Sequence, residues 1–192
     1  VRVFAFEPES QNFALLNRNI VYNEVHDRCI AFPIALSDAC RVDRLHLSRF
    51  SAGGSCHTFG ANLDFHLRQR PPGYAQGAVS MTLDKLVADG VVPQPDHLKI
   101  DVDGLEHLVL DGASNVLASA QLKSVLVELN GRLPEHRAII ERMQALGYRF
   151  QQEQVDVAVR REGAFEGVGN HVFFRPQSGI GFDALADARR GA

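Results

Sequence analysis

Apolar and polar residues along this chain follow an alternation of strand and helix patterns. Residues 1–6 are an apolar run with β-branched and aromatic side chains, which is typical of a strand. Phe13, Leu16 and Ile20 then repeat at helical spacing, so a helix is predicted over about residues 8–23. Further strands are predicted over residues 29–36, 41–47, 97–102 and 122–129. Further helices are predicted over residues 82–88, 105–117 and 134–146.

The region of residues 48–79 interrupts this order. Its Gly53-Gly54 pair and scattered polar residues predict a long loop, which we expect to form an insertion or lid. After the last helix, residues 148–154 and 170–175 predict an antiparallel pair of terminal strands, and residues 177–192 are predicted to be a tail. The pattern therefore predicts one α/β domain over residues 1–176, with a doubly wound, Rossmann-like and mostly parallel sheet.

Composition narrows the function classes. The 192 residues include 20 Lys and Arg against 23 Asp and Glu, which gives a net charge of −3. This balance argues against a protein that binds nucleic acid through its overall charge. The apolar runs are shorter than the about 20 residues that cross a bilayer, so we expect no membrane span. We also expect no signal peptide, and the three cysteines without CxxC spacing favour a reducing cytoplasm.

Ligands of doubly wound sheets bind beyond the carboxyl ends of the strands, so the residues just after each strand are candidate site residues. Glu7 follows the first strand and is a candidate to bond the ribose hydroxyls of an adenosine ligand. Its alternative role is a carboxylate at a helix start. Ser37 and Asp38 follow the second strand, where they either bond an adenine edge or form an ordinary turn.

Three carboxylates, Asp101, Asp103 and Glu106, lie close together where the strand over residues 97–102 ends. An unpaired charge late in a buried strand is costly, so Asp101 needs a partner such as Lys99, a helix N-terminus, a metal or a ligand. Asp103 and Glu106 are candidates for the same site or for the first turn of the next helix.

Glu128 and Asn130 end the next predicted strand in the same way. Together with Asp101 they offer oxygen ligands that suit Mg²⁺. Alternatively, Asp101 accepts a proton from a substrate hydroxyl as a general base. The sequence leaves both hypotheses open.

Four segments, taken in order, carry a resemblance to a known family. They are Phe4-Ala-Phe-Glu-Pro8 with Asn12-Phe13, Ala35-Leu-Ser-Asp38, Leu98-Lys-Ile-Asp-Val-Asp-Gly-Leu-Glu106 with Val109-Leu-Asp-Gly-Ala113, and Val127-Glu-Leu-Asn130. In this order and spacing they resemble the FkbM family of S-adenosylmethionine-dependent methyltransferases, over most of residues 1–150.

The resemblance implies a seven-stranded class I methyltransferase fold, S-adenosylmethionine as cofactor, and O-methylation of a sugar, glycan or natural-product hydroxyl. It implies that Glu7 holds the cofactor ribose and that Ser37 and Asp38 lie by the adenine. It implies that Asp101 faces both the methyl group and the substrate. The catalytic candidates are then Asp101, Glu128 and Asn130. Dependence on a divalent metal stays open.

In that family a further strand and a glycine-rich turn precede the segment that matches Val1. We therefore expect this chain to be a fragment of a longer protein that alone binds the cofactor poorly. Two alternatives stand beside the methyltransferase: a nicotinamide-dependent oxidoreductase of similar fold, and a non-catalytic remnant. The expected partner is a small-molecule or glycan acceptor. Arg49, Arg68 and Arg70 are available for an anionic or polyhydroxyl acceptor, or else are solvated.

Overall fold

Three separate sheets carry the strands of residues 1–176, the part of the chain that the computed structural model describes. The α/β class is confirmed. The sheets are small and of mixed direction, so the doubly wound, mostly parallel sheet is not confirmed. The chain divides into two units. The first holds Val1–Pro93 and Val102–Val116, and the second holds Gln94–Asp101 and, within the described residues, the chain from Leu117.

The first unit begins with a parallel strand pair joined by a helix. Strand β1 (Val3–Phe6) pairs in parallel with β2 (Cys29–Phe32), and α1 (Ser10–Tyr22) lies between them in the chain. The α1 helix begins where the Glu9 side chain accepts hydrogen bonds from the first free backbone N–H groups, and of its apolar stripe Ile20 is buried.

A mixed four-stranded sheet forms the larger part of the first unit, in the order β3-β6-β4-β5. Its strands are β3 (Ala35–Leu36), β4 (Arg41–His46), β5 (Thr58–Phe59) and β6 (Ala75–Met81). Strand β3 runs parallel to β6, whereas β4 runs antiparallel to both β5 and β6. Its buried apolar residues are Ala35, Leu45, Leu47 and Phe59.

Short helices complete this part of the chain. Helix α2 (Leu83–Ala88) begins at Thr82, whose side chain accepts a hydrogen bond from the Lys85 backbone N–H. Helix α3 (Glu106–Asp111) follows the turn at residues 101–105, and α4 (Ser114–Ala118) comes next along the chain.

The second unit contains the sheet β7-β8-β9 and two helices. Strand β7 (His97–Ile100) pairs in parallel with β8 (Ser124–Asn130), which pairs antiparallel with β9 (Val168–Phe174). Helices α5 (Pro134–Ala145) and α6 (Gln152–Ala158) separate β8 from β9 in the chain. Val125, Val127 and Leu129 of β8 are fully buried.

Four predicted elements differ from the structure. The single strand predicted over residues 29–36 is two strands, β2 and β3, which lie in different sheets. The segment predicted as loop contains the short strand β5 and the start of β6, whose small residues hid the alternation. The predicted helix over residues 105–117 is two helices, with Gly112 ending the first. Residues 148–154 are not a strand: Arg149 makes a single bridge to Phe174, and α6 then begins.

The predicted tail over residues 177–192 lies outside the described residues. No helix within residues 1–176 has the length and apolar character needed to cross a membrane.

Candidate functional site

Glu7 lies at the carboxyl end of β1, where the parallel pairing with β2 ends. Its backbone N–H donates to the Phe32 carbonyl, and its side-chain Oε1 accepts from the Glu9 backbone N–H at 2.8 Å. Oε2 has no hydrogen-bond partner among residues 1–176. Burial raises the pKa of Glu7, the Glu9 N–H opposes this, and the charges of Glu9 and Asp103 raise the pKa further. Glu7 therefore offers one free carboxylate oxygen beside the start of α1.

Glu9 and Asn12 fix the start of α1 and the loop that packs on it. The buried Glu9 carboxylate accepts the backbone N–H groups of Gln11 at 3.1 Å and Asn12 at 2.7 Å. The Asn12 side chain accepts from the Gly53 N–H at 2.8 Å and donates to the Gly54 carbonyl at 2.9 Å. The Gly53-Gly54 pair is thus held on the helix rather than free in a loop.

The Glu9→Gln substitution is expected to flatten the pH dependence of unfolding. Burial raises the pKa of Glu9, but the backbone N–H bonds and the Ser10 hydroxyl outweigh it, so the pKa is lowered from 4.5. The stabilisation from such a carboxylate is present above 4.5 and lost as pH falls through the lowered folded value. At about pH 7 we expect Glu9→Gln to lower the free energy of unfolding by about 1 kcal/mol.

Urea unfolding at about pH 7 and about pH 3.5 measures this effect. The exposed carboxylate of Glu162 provides the control variant Glu162→Gln. A difference between wild type and Glu9→Gln that is equal at both pH values contradicts the prediction.

Ser37 and Asp38 form a closed turn. The Ser37 backbone N–H donates to the Met81 carbonyl, and its hydroxyl donates to Asp38 Oδ1 at 2.9 Å. Arg41 Nη1 lies 3.0 Å from the same oxygen. Burial raises the pKa of Asp38, but these two partners outweigh it and the pKa is lowered. The geometry is that of a firmly positioned turn, and its role beside an adenine stays a prediction.

Asp103 and Cys56, on two loops of the first unit, are in direct contact. The Cys56 backbone N–H donates to Asp103 Oδ2 at 2.7 Å, and the thiol lies 3.7 Å from Oδ1. Both residues have left-handed backbones, with φ of 60° for Cys56 and 54° for Asp103. Strain of this kind concentrates at functional sites. Burial and the Asp103 charge raise the pKa of Cys56, so the thiol is protonated near neutral pH and is not an activated nucleophile.

Glu106 closes the turn that carries Asp103. Its buried carboxylate accepts the backbone N–H groups of Val102 at 3.1 Å and Gly104 at 3.1 Å. Gly104 has a φ of 115°, and a Cβ there would lie 3.4 Å from the Leu67 side chain. Glu106 therefore positions the turn through backbone contacts.

His57 follows Cys56 and has one unsatisfied nitrogen. Its Nδ1 accepts from the Ser48 N–H at 3.2 Å, which leaves the proton on Nε2. Nε2 is buried without a partner among the described residues. Burial lowers the pKa of His57, the Glu9 and Asp103 charges oppose this, and nearby arginines lower it further. A neutral donor therefore lies in this part of the first unit.

A pocket of about 380 Å³ opens next to these residues in the first unit. Its walls come from the segment predicted as a lid, at Ser48, Arg49, Ser55, Cys56, Asp64, Phe65 and Arg70. Arg68, which the sequence grouped with the other two arginines, is exposed and not part of this lining.

In the second unit, Asp101 follows β7 and forms an ion pair. Lys99 Nζ lies 2.8 Å from Asp101 Oδ2, as one of the partners predicted for this carboxylate. Asp101 is exposed rather than buried, because β7 ends at Ile100. Its Oδ1 has no hydrogen-bond partner within residues 1–176.

Glu128 and Asn130 lie at the end of β8, also in the second unit. The last parallel pair of β7 and β8 is Ile100 with Val127, so Asp101 and Glu128 follow at the same edge. Arg160 Nη2 lies 3.0 Å from Glu128 Oε1.

The Asn130 side chain is buried at this same edge. Its Oδ1 accepts from the Arg132 N–H, and its backbone N–H donates to His136 Nδ1. Asn130 Nδ2 is buried without a partner among the described residues.

The Mg²⁺ hypothesis gains no support from this arrangement. Within the described residues, no group of three His, Cys, Asp or Glu side chains could hold a metal ion. Each of the two carboxylates proposed as ligands instead contacts a cation of the protein: Asp101 contacts Lys99, and Glu128 contacts Arg160.

A family model for the methyltransferase FkbM domain matches residues 1–150. The chain belongs to the FkbM methyltransferase family. No curated protein matches it.

A solved structure supports the fold. The chain resembles the crystal structure of methyltransferase FkbM from Methylobacillus flagellatus KT, with a TM-score of 0.55 and 12% identity. The comparison covers 90% of this chain and 36% of the FkbM chain, so this chain spans about a third of that protein's length. At this identity the likeness supports the fold alone.

The sequence named some residues of this candidate site and not others. It named Glu7 and the turn of Asp103 and Glu106, whose carboxylates stand out at strand ends. It did not single out Cys56 or His57, since a lone Cys and His in a loop carry no spacing signal. The Gly53-Gly54 pair was visible, but its docking on α1 depends on contacts distant in sequence.

Proposed function

We propose that the protein transfers a methyl group from S-adenosylmethionine to a hydroxyl of a sugar, a glycan or a natural product. The observation that carries the proposal is the FkbM methyltransferase domain over residues 1–150. The same family membership favours methyl transfer over the nicotinamide-dependent oxidoreductase. We further propose a reducing, cytoplasmic setting, which the three free cysteines support.

The residues of the first unit suit the cofactor proposed for them. A ribose diol donates hydrogen bonds, and Glu7 has a carboxylate oxygen with no partner within residues 1–176. Ser37 and Asp38 are the candidates for the adenine side. When bound, S-adenosylmethionine supplies a methyl group on a sulfonium that an oxygen nucleophile accepts. Positioning and proton removal are then the tasks of the protein.

The residues of the second unit suit proton removal from a hydroxyl. Asp101 Oδ1 is unpartnered among the described residues, and Lys99 holds Oδ2. We propose Asp101 as the general base. Asn130 offers a buried, unpaired Nδ2 donor, which is unusual because buried polar groups are nearly always satisfied. Glu128 contacts Arg160, and we propose that it orients this edge of the sheet.

Methyl transfer from S-adenosylmethionine labelled in the methyl group tests the proposal. The acceptors are monosaccharides, oligosaccharides and polyhydroxylated natural products, each with a permethylated copy as control. We expect label in a hydroxyl-bearing acceptor and none in its permethylated copy. Absence of both transfer and cofactor binding contradicts the proposal.

The Glu7→Gln substitution is expected to weaken cofactor binding by about tenfold to a hundredfold. The reason is that the hydrogen bonds proposed from the ribose diol to Glu7 would no longer have a charged acceptor. Gln retains the acceptor for the Glu9 N–H. The pKa of Glu7 is raised above 4.5. As the pH is lowered, the cofactor affinity of the wild type should therefore begin to fall while the pH is still above 4.5. Titration calorimetry with S-adenosylhomocysteine measures both effects. The matched control is Asp27→Asn, an exposed carboxylate of the same unit, and equal losses in the two variants contradict the role of Glu7.

A further inference from the structure

Two arginines of the pocket described above have no carboxylate partner. Arg49 makes one long contact, from Nη2 to the Gly53 carbonyl at 3.4 Å. Arg70 bonds only neutral oxygens. Neither guanidinium forms an ion pair within residues 1–176.

Arg70 is fixed in place by those bonds. Its Nη1 donates to the Cys56 carbonyl at 2.9 Å, and its Nη2 donates to Thr58 Oγ1 at 2.9 Å and to the His46 carbonyl at 3.4 Å. Its Nε is buried without a partner among the described residues. A part-buried positive charge whose contacts are all neutral favours the arrival of an anion, because desolvation is otherwise uncompensated.

The one carboxylate in the pocket lining does not balance the two arginines. Asp64 Oδ1 accepts the backbone N–H groups of His66 at 2.8 Å and Arg68 at 2.9 Å, so it stabilises its own turn. The lining therefore carries two guanidinium groups against one carboxylate.

We propose that this pocket binds the methyl acceptor through an anionic group of the acceptor, a carboxylate or a phosphate, held by Arg49 and Arg70. The inference rests on the proposed function, since it names the substrate class of the same enzyme. A pocket of about 380 Å³ suits a small molecule such as an acidic sugar. The Phe65 ring provides an apolar wall, and Ser48 provides a polar one. Guanidinium groups bind carboxylate and phosphate in the same planar manner, so both sources fit this chemistry.

Binding of three sugars without S-adenosylmethionine tests the inference. The probes are glucose, glucuronate and glucose 6-phosphate, titrated against the full chain by calorimetry or ligand-observed NMR. We expect at least one anionic sugar to bind about tenfold or more tightly than glucose, since a charged hydrogen bond is worth more than a neutral one. The ratio of glucuronate to glucose 6-phosphate affinity distinguishes carboxylate from phosphate.

Two variants locate the binding. Arg49→Gln alters an exposed side chain, so it should fold normally and lose most of the preference for the anionic sugar. Arg68→Gln, an exposed arginine of the same segment outside the lining, should retain it. Equal affinity for glucose and both anions, or equal losses in the two variants, overturns the inference. Because no cofactor is used, this result is independent of the methyl-transfer assay: transfer to a neutral acceptor with no anion preference leaves the proposed function standing.

Discussion

The Asp101→Asn substitution is expected to lower kcat of methyl transfer by roughly a hundredfold to ten-thousandfold, the range that a positioned general base contributes. An amide cannot take the proton that a hydroxyl must lose as its oxygen is methylated. Asn retains the size of Asp and an oxygen that faces Lys99, so the geometry of the turn should persist. Cofactor affinity should change little, and the loss should appear in kcat.

The chain offers a matched control for this experiment. Asp96 is also an exposed carboxylate of the second unit, and it also pairs with a lysine, Lys123, at 2.9 Å. Asp96→Asn removes a similar charge from a similar ion pair and should leave kcat unchanged. The Lys99→Gln variant removes the cation of this ion pair and keeps the Asp101 carboxylate. We expect it to lower kcat less than Asp101→Asn does.

Each outcome bears on a different claim. Turnover of Asp101→Asn at the wild-type rate contradicts the general-base role. Equal losses in Asp101→Asn and Asp96→Asn indicate an effect of overall charge. Exposed ion pairs contribute at most about 1 kcal/mol, so loss of the Lys99 contact alone should not unfold the protein.

The elements predicted well from sequence are those with local signals at their ends. Thr82 caps α2 with its side chain, and Gly90 ends that region with a φ of 71°. Pro134 opens α5, and Gly147 follows its end with a φ of 84°. In each case the chemistry that starts or stops the helix lies within a few residues of it, so a single sequence contains it.

The elements predicted poorly depend on partners distant in the chain. Strand β6 lacks a clear alternation of apolar and polar residues, and it is defined by β3 and β4, which pair with its two edges. The division of the strands among three sheets also depends on pairing between segments that are distant in the chain. Residues 148–154 were predicted as a strand, but their glutamine-rich second half favours the helix that forms.

The residues of the candidate site follow the same rule: local signals are visible in the sequence, and contacts between distant segments are not. Carboxylates at strand ends are visible in sequence, and Glu7 and Asp103 were named because they follow strands. The cost of a buried charge was argued for Asp101, which is exposed in the structure. Cys56 joins Asp103 only through a contact between residues 47 positions apart. The pocket arginines were visible, but the separation of Arg49 and Arg70 from Arg68 needed the fold.

The turn of Ser37 depends on a glycine that the sequence did not single out. A Cβ added at Gly112 would lie 2.0 Å from the Ser37 carbonyl oxygen, 3.0 Å from its carbon and 3.2 Å from the Thr82 Cβ. The φ of Gly112 is −76°, which any residue adopts, so space alone requires glycine. The nearest atoms belong to backbone, which cannot rotate away as a side chain can.

The Gly112→Ala substitution is therefore expected to lower the free energy of unfolding by about 3 kcal/mol or more, at the upper end of the cost of overpacking. Guanidinium unfolding measures the change. The control is Gly77→Ala in β6, where an added Cβ meets nothing within 4 Å and stability should be unchanged or slightly raised. Because relief of the clash must displace Ser37, the variant should also weaken cofactor binding if that turn lies by the adenine. A Gly112→Ala protein as stable as Gly77→Ala would show that the close approach of the two backbones is not needed for the fold.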